Sequence, residues 1–167
     1  MVDIKKARQL KKESPDYVLM DERSGLKQPG FDYGNSPAEI EKVNFNKKTV
    51  ILTTSTGTQG IANAINSDEI ITGAFVNIVS LVCTDDRLPD NEDFMLASYL
   101  KKRLRNKKVN FGKIQKHLER HRCACGFLKN PMTKWSKKDF SLVLSLDRFN
   151  FVLKAKKEKE TIYLEKT

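Results

Sequence analysis

The sequence predicts a single α/β domain over residues 1–167, a mixed β-sheet with helices packed on it. Three observations carry that expectation. Apolar runs of strand length (Tyr17 to Met20, Thr49 to Thr54, Glu69 to Ala74, Val79 to Thr84) alternate with segments of helical period. Two of the runs empty into polar or small-residue turns that lead on to a helix start, the geometry that gathers ligands at strand ends. A length of 167 residues with 39% hydrophobic and 31% charged side chains suits one soluble domain that buries its own core.

The elements follow in order. Ile4, Ala7 and Leu10 recur at helical spacing within a lysine-rich stretch, so residues 4–13 read as a helix, stopped by Ser14-Pro15-Asp16. Tyr17 to Met20 is a short buried strand that delivers Asp21-Glu22-Arg23 at its end. Gly30-Phe31-Asp32-Tyr33-Gly34 is a turn. Ser36-Pro37-Ala38-Glu39 opens a brief helix, with Ser36 as cap, Pro37 at the first position and Glu39 reaching back as a capping box. Thr49 to Thr54 is the clearest buried strand, and Gly57 to Asn66 a helix after the hydroxyl-rich turn. Between the strands Glu69 to Ala74 and Val79 to Thr84 there is room only for a tight antiparallel turn or one bent strand. Glu92 to Arg105 is an amphipathic helix with Phe94, Leu96, Ala97, Leu100 and Leu104 facing in, and Val109 to Arg122 a second. Residues 123–138 read as irregular. Phe140 to Leu146, Phe151 to Lys156 and Thr161 to Leu164 read as strands, the last two a hairpin.

Charge is unevenly placed. Residues 14–100 hold 6 basic and 13 acidic side chains, whereas residues 101–138 hold 14 basic side chains against the single Glu119. That division argues against a chain built throughout to coat nucleic acid. No apolar run approaches the ~20 residues of a membrane span. Three cysteines and an amino terminus without an apolar core give the expectation of a cytoplasmic protein without disulfides.

The octet Gly30-Phe31-Asp32-Tyr33-Gly34-Asn35-Ser36-Pro37 resembles the signature of the 2-phosphosulfolactate phosphatase family, magnesium-dependent enzymes of coenzyme M biosynthesis and their bacterial relatives. Glu22-Arg23 with Gly25, Thr53-Thr54 with Gly57-Thr58, the strand end Gly73, Phe75, Asn77, then Cys83, Glu92-Asp93, and the tail Asp139 with Leu146-Asp147-Arg148-Phe149 are similar to further family segments, in order. Against the family pattern the sequence lacks a first strand-helix unit before Tyr17, and Asp21 stands where the family has glycine.

The resemblance implies hydrolysis of a phosphate monoester of a small sulfonated or carboxylated hydroxy acid, with Mg²⁺ as cofactor. Glu22, Asp32 and Asp93 are the hard oxygen ligands it implies for the metal. Arg23 is the residue to clamp a phosphate or sulfonate bidentately. Arg23, Asp32, Thr53 and Thr54 are the catalytic set, the threonines holding oxygens as charge develops. Gly30, Gly34, Asn35, Ser36, Gly57, Thr58 and Asn77 are the substrate-binding positions. A homodimer or another partner is expected to cover the sheet edge or apolar face that the missing unit would leave bare.

Two other function classes compete: a non-catalytic relative that keeps the anion pocket, and a module using residues 101–138 with Phe111, Phe127 and Trp135 to bind RNA or polyphosphate, for which a lysine-rich solvated helix pair is the simpler account. Without the resemblance, turn hydrogen bonds of Asp32 and Asn35 and a surface Glu22-Arg23 pair would be the ordinary reading. The run His117, His121, Cys123, Cys125 holds zinc-type ligands, but its Cys-x-Cys spacing is tight, and solvent-facing histidines are the simpler account. Cys83, on an apolar strand with no histidine nearby in sequence, reads as core.

Overall fold

The computed structural model describes residues 3–23, 25–54, 57–64, 66–73, 92–121, 124, 128, 136–158 and 161–167. The expected strand Val79 to Thr84, with Asn77, Cys83, Cys123, Cys125, Phe127 and Trp135, lies outside them. Helix α1 (Ile4–Glu13) is followed by β1 (Val18–Arg23), β2 (Leu26–Lys27), the single turn α2 (Pro37–Ile40), β3 (Val50–Thr53), α3 (Gly57–Asn63) and β4 (Ile71–Thr72). Then come α4 (Glu92–Leu104), α5 (Phe111–Arg120), α6 (Lys137–Val143), β5 (Leu153–Glu158) and β6 (Thr161–Lys166). The class is α/β, as the alternation predicts.

The strands divide between two three-stranded sheets. The first is mixed, in the order β2-β1-β3, with β1 and β3 parallel from Val18↔Val50 to Asp21↔Thr53. The second is the antiparallel order β4-β5-β6, including the expected terminal hairpin. The apolar side chains form two cores to match. Ala7, Leu19, Phe31 and Ile51, flanked by Ile4, Leu10 and Tyr17, pack α1 onto the mixed sheet. Leu96, Tyr99, Leu100, Ile114, Leu118 and Leu144 form the other, between α4, α5 and the end of α6.

Several elements differ from expectation. Phe140 to Leu146 is no strand. Ser136 and Asp139 form a reciprocal capping box that starts α6 at Lys137, overriding the alternation of Phe140, Leu142 and Leu144. On α4, Phe94 and Leu104 are exposed and Tyr99 takes an inward place. Strand β3 is half-buried: Ile51 and Thr53 face in, while Val50 and Leu52 stay 38% and 40% exposed. β1 runs on through Arg23, so the charged triplet lies within the strand's last three residues, where Glu22 and Arg23 pair with Lys27 and Leu26.

Candidate functional site at the strand ends

Three parallel segments empty at one edge of the mixed sheet. β1 ends through Asp21-Glu22-Arg23 and β3 through Thr53-Thr54, with Asp21 and Thr53 side by side in register. On β1's other flank Tyr33 makes a parallel bridge to Met20, and the Asp21 N–H donates to the Tyr33 carbonyl at 3.3 Å. Beyond that bridge β2 takes the flank of Glu22 and Arg23, and Gly34 passes close to Lys27. The turn that brings the chain there needs its glycine. The Phe31 N–H donates to Gln28 O across Pro29-Gly30, and Gly30 has φ +78°, the third position of a type II turn. At Gly34 a Cβ would stand 3.0 Å from Glu39 Oε2, the oxygen that accepts the Gly34 N–H, so a side chain there would press on that bond.

Asp21 is the buried anchor of this edge, with no exposed surface. Its Oδ1 accepts from the Glu22 N–H at 2.7 Å and its Oδ2 from Arg23 Nε at 3.2 Å. Arg23 is one-third exposed, so a sealed carboxylate aims a guanidinium that reaches solvent. The sequence suggested Glu22 as the acid beside Arg23. Glu22 Oε1 instead accepts the Gly25 N–H, closing the turn after β1.

Thr53 is also fully buried, and its Oγ1 has no hydrogen-bond partner. Among the described residues one other buried side-chain atom is in that state, Asn35 Oδ1. Both sit at sequence-predicted positions, on two of the three segments that end at this edge. Buried polar atoms are nearly always paired with protein or with ordered water, so each of these two atoms is open to a water or a ligand. Thr54 and Thr58 serve each other: Thr54 Oγ1 accepts the Thr58 N–H, and Thr58 Oγ1 donates to the Thr54 carbonyl, both at 3.2 Å. They cap α3, which begins at Gly57.

Asp32 is placed lower. Its Oδ2 accepts the Leu19 N–H at 2.8 Å and Lys11 Nζ at 3.2 Å, tying α1 to the middle of β1. Burial alone would raise its carboxyl, but the Leu19 N–H and the Lys11 and Lys27 ammoniums outweigh that and hold it below the ordinary value. Three residues of strand, roughly 10 Å, separate Leu19 from Glu22. Asp93 stands in the first turn of α4. Among the described residues no three His, Cys, Asp or Glu side chains are grouped so as to hold a metal ion. Glu22, Asp32 and Asp93 thus do not converge as one ligand set.

Ser36 ties the edge to the helical half of the molecule through a residue that sequence reasoning did not place in the site. Asp139, 1% exposed, accepts Ser36 Oγ at 2.7 Å and the Ala38 N–H at 2.8 Å on Oδ1. Its Oδ2 takes the Ser136 N–H at 2.7 Å and Ser136 Oγ at 2.9 Å. Burial would push this carboxyl up; the Ala38 and Ser136 N–H groups and the two serine hydroxyls more than offset it and lower it. The Ser-x-x-Asp spacing was the available signal. Glu39, read as the capping-box partner of Ser36, accepts from the Gly34 N–H at 3.0 Å instead.

Fold and edge together define an α/β protein that carries Arg23 and the unpartnered Thr53 hydroxyl at the carboxyl ends of paired parallel strands. The family model described as 2-phosphosulpholactate phosphatase matches residues 1–134, and the chain belongs to that family. A Thermotoga petrophila protein named "Probable 2-phosphosulfolactate phosphatase" is 38% identical over 117 residues, covering 62% of this chain and 51% of its own length. A Thermoplasma acidophilum protein of the same name is 29% identical over 163 residues, covering 90% and 71%. A third, from Carboxydothermus hydrogenoformans, reaches 42% over 74 residues, 44% of this chain and 30% of its own length. The chain thus spans about half the length of the Thermotoga relative. No helix among the described residues is long and apolar enough to cross a membrane.

Proposed function

We propose that the protein hydrolyses a phosphate monoester of a small sulfonated or carboxylated hydroxy acid, of the 2-phosphosulfolactate type, in the cytoplasm. The observation that carries this reading is the strand-end edge itself, where the Arg23 guanidinium and the unpartnered Thr53 Oγ1 lie at the ends of paired parallel strands. Arg23, fixed by Asp21, offers its planar fork to the anionic oxygens. Thr53 donates to an oxygen of the same group, replacing the partner its buried hydroxyl lacks, and Asn35 Oδ1 accepts from a hydroxyl of the substrate. Water adds to phosphorus, the ester P–O bond breaks, and inorganic phosphate leaves with the free hydroxy acid. Buried donors aimed at phosphate oxygens contribute most where charge develops on them.

Mg²⁺ comes to this reading from the family resemblance. Glu22, Asp32 and Asp93 do not fit a single ion, so no step here passes through it. The homodimer expectation keeps its physical basis in Val50 and Leu52, exposed on the edge strand β3, and sedimentation of the full chain tests it. The deciding experiment is phosphate release from 2-phosphosulfolactate, measured with Mg²⁺ and after chelation, in wild type and Arg23→Lys. Wild-type turnover that falls roughly 10- to 100-fold in Arg23→Lys is expected, the worth of a charge-assisted bidentate contact. Unchanged turnover and unchanged sulfolactate binding in that variant would remove the site assignment.

A further inference from the structure

We propose that the exposed face of α5 is a second anion site, taking a small phosphate-dense anion of the polyphosphate class, separate from the strand-end site. A cavity of about 360 Å³ opens there, lined among the described residues by Lys113, Lys116, His117, Arg120 and His121. That volume lies in the ordinary range for small-ligand sites, roughly 300–1,000 Å³. All five side chains are basic or protonatable. Lys113, Lys116, His117 and Arg120 share one face of the helix, with His121 at its C-cap, while Ile114 and Leu118 are buried in the helical core. The His117 and His121 rings lie near-parallel at one end of the cavity, centroids 6.1 Å apart at an interplanar angle of 22°. Glu119, the lone acid of residues 101–138, is not among the lining residues.

Helix electrostatics do not explain this stripe. Basic residues near the last turn, His117 and Arg120, suit the negative end of the dipole. Lys113 lies in the first turn, which has no acidic residue, and there a cation opposes the dipole. Lys113 also stands three residues before Lys116, and Lys116 four before Arg120, spacings at which like charges repel. A face that works against its own helix and is concave has the features of a site completed by an anion. Three closely spaced phosphates would meet cations along two turns of α5 at once.

The test is calorimetry of the full chain with inorganic triphosphate at low and moderate salt. Expected is one saturable site per chain whose affinity falls as salt rises, since each cation contact releases counterions. Lys116→Gln/Arg120→Gln, both exposed positions, is expected to weaken binding at least tenfold with an unchanged melting temperature. Lys102→Gln/Arg105→Gln removes the same two charges outside the cavity and is expected to change affinity less than twofold. Arg23→Lys is expected to leave triphosphate binding intact, which keeps this outcome distinct from that of the strand-end site. Equal weakening by the two double variants would reduce the effect to net charge and overturn the site. So would an RNA oligonucleotide that binds through α5 while triphosphate does not saturate.

Discussion

The two halves of the molecule treat charge in opposite ways. Around the mixed sheet, carboxylates are matched to donors, and Asp21 and Asp139 are enclosed as well. Asp21 holds Arg23, Asp32 holds Lys11, and Asp139 takes four donors from two helix starts. On α5 the cations line an open cavity with no acid among them. Enclosed pairs fix geometry, because each buried group has one arrangement that satisfies it. Open cations fix little by themselves and are available to a ligand. The difference separates a region in which charge builds the fold from one in which charge faces outward.

The comparison is broken most severely at Asp139. Asp139→Ala leaves the Ser36 and Ser136 hydroxyls and the Ala38 and Ser136 N–H groups without their acceptor, and is expected to destabilise by about 3 kcal/mol or more. Thermal unfolding followed by circular dichroism measures it, and a loss under 1 kcal/mol would mean the two halves are not joined there. Turnover should fall as well, since Ser36 loses its anchor.

Next in size is Arg23. Asp21→Asn keeps the side chain's shape but weakens its hold on Arg23 Nε, so the expected result is a several-fold loss of turnover, smaller than that of Arg23→Lys. Activity equal to wild type in Asp21→Asn would show that Arg23 needs no buried orienter.

Acid probes the matched carboxylates together. Asp139 and Asp32 are both lower in the folded chain than the ordinary 3.8. Each therefore contributes stability in full above pH ~4, lost as pH falls through its folded value. Urea midpoints are expected to be flat from pH 7 to 5 and to drop below 4. Asp139→Asn should flatten that drop, while Lys116→Gln/Arg120→Gln should not. Glu41, lowered to about 2 by Lys138 and Arg148, follows the same sign at the surface.

The smallest expected change carries the most specific meaning. Thr53→Val removes a buried hydroxyl that has no partner. Stability is expected to stay level or rise by up to about 1 kcal/mol, because an unsatisfied polar group is lost without a change of shape. Turnover is expected to fall. A fall in stability with turnover intact would assign the hydroxyl to the fold instead.

Local patterns determined much of this protein. The Ile4, Ala7, Leu10 spacing yields α1 with its bounds as read, and Ser36-Pro37 yields the short α2. The terminal hairpin follows from its alternating runs, and the octet at Gly30 with its companion segments was enough to mark the family. Each is set by neighbours within a few residues, where propensity, capping and turn chemistry act. Tertiary structure decided the rest. Nothing in the run Thr49 to Thr54 says that Val50 and Leu52 would face outward, since only β3's place at the sheet edge settles it. The alternation after Phe140 looked like a strand until Ser136 and Asp139 closed a cap on each other. The carboxylate that orients Arg23 is Asp21 and not Glu22, because side chains alternate across a strand and residues two apart share a face. Asp32 binds the middle of β1 instead of joining Glu22, because the parallel register set by Tyr33 on Met20 puts it beside Leu19, three residues short of Glu22. Spacing along the chain names which groups are present, and only the pairing of distant segments decides which of them meet.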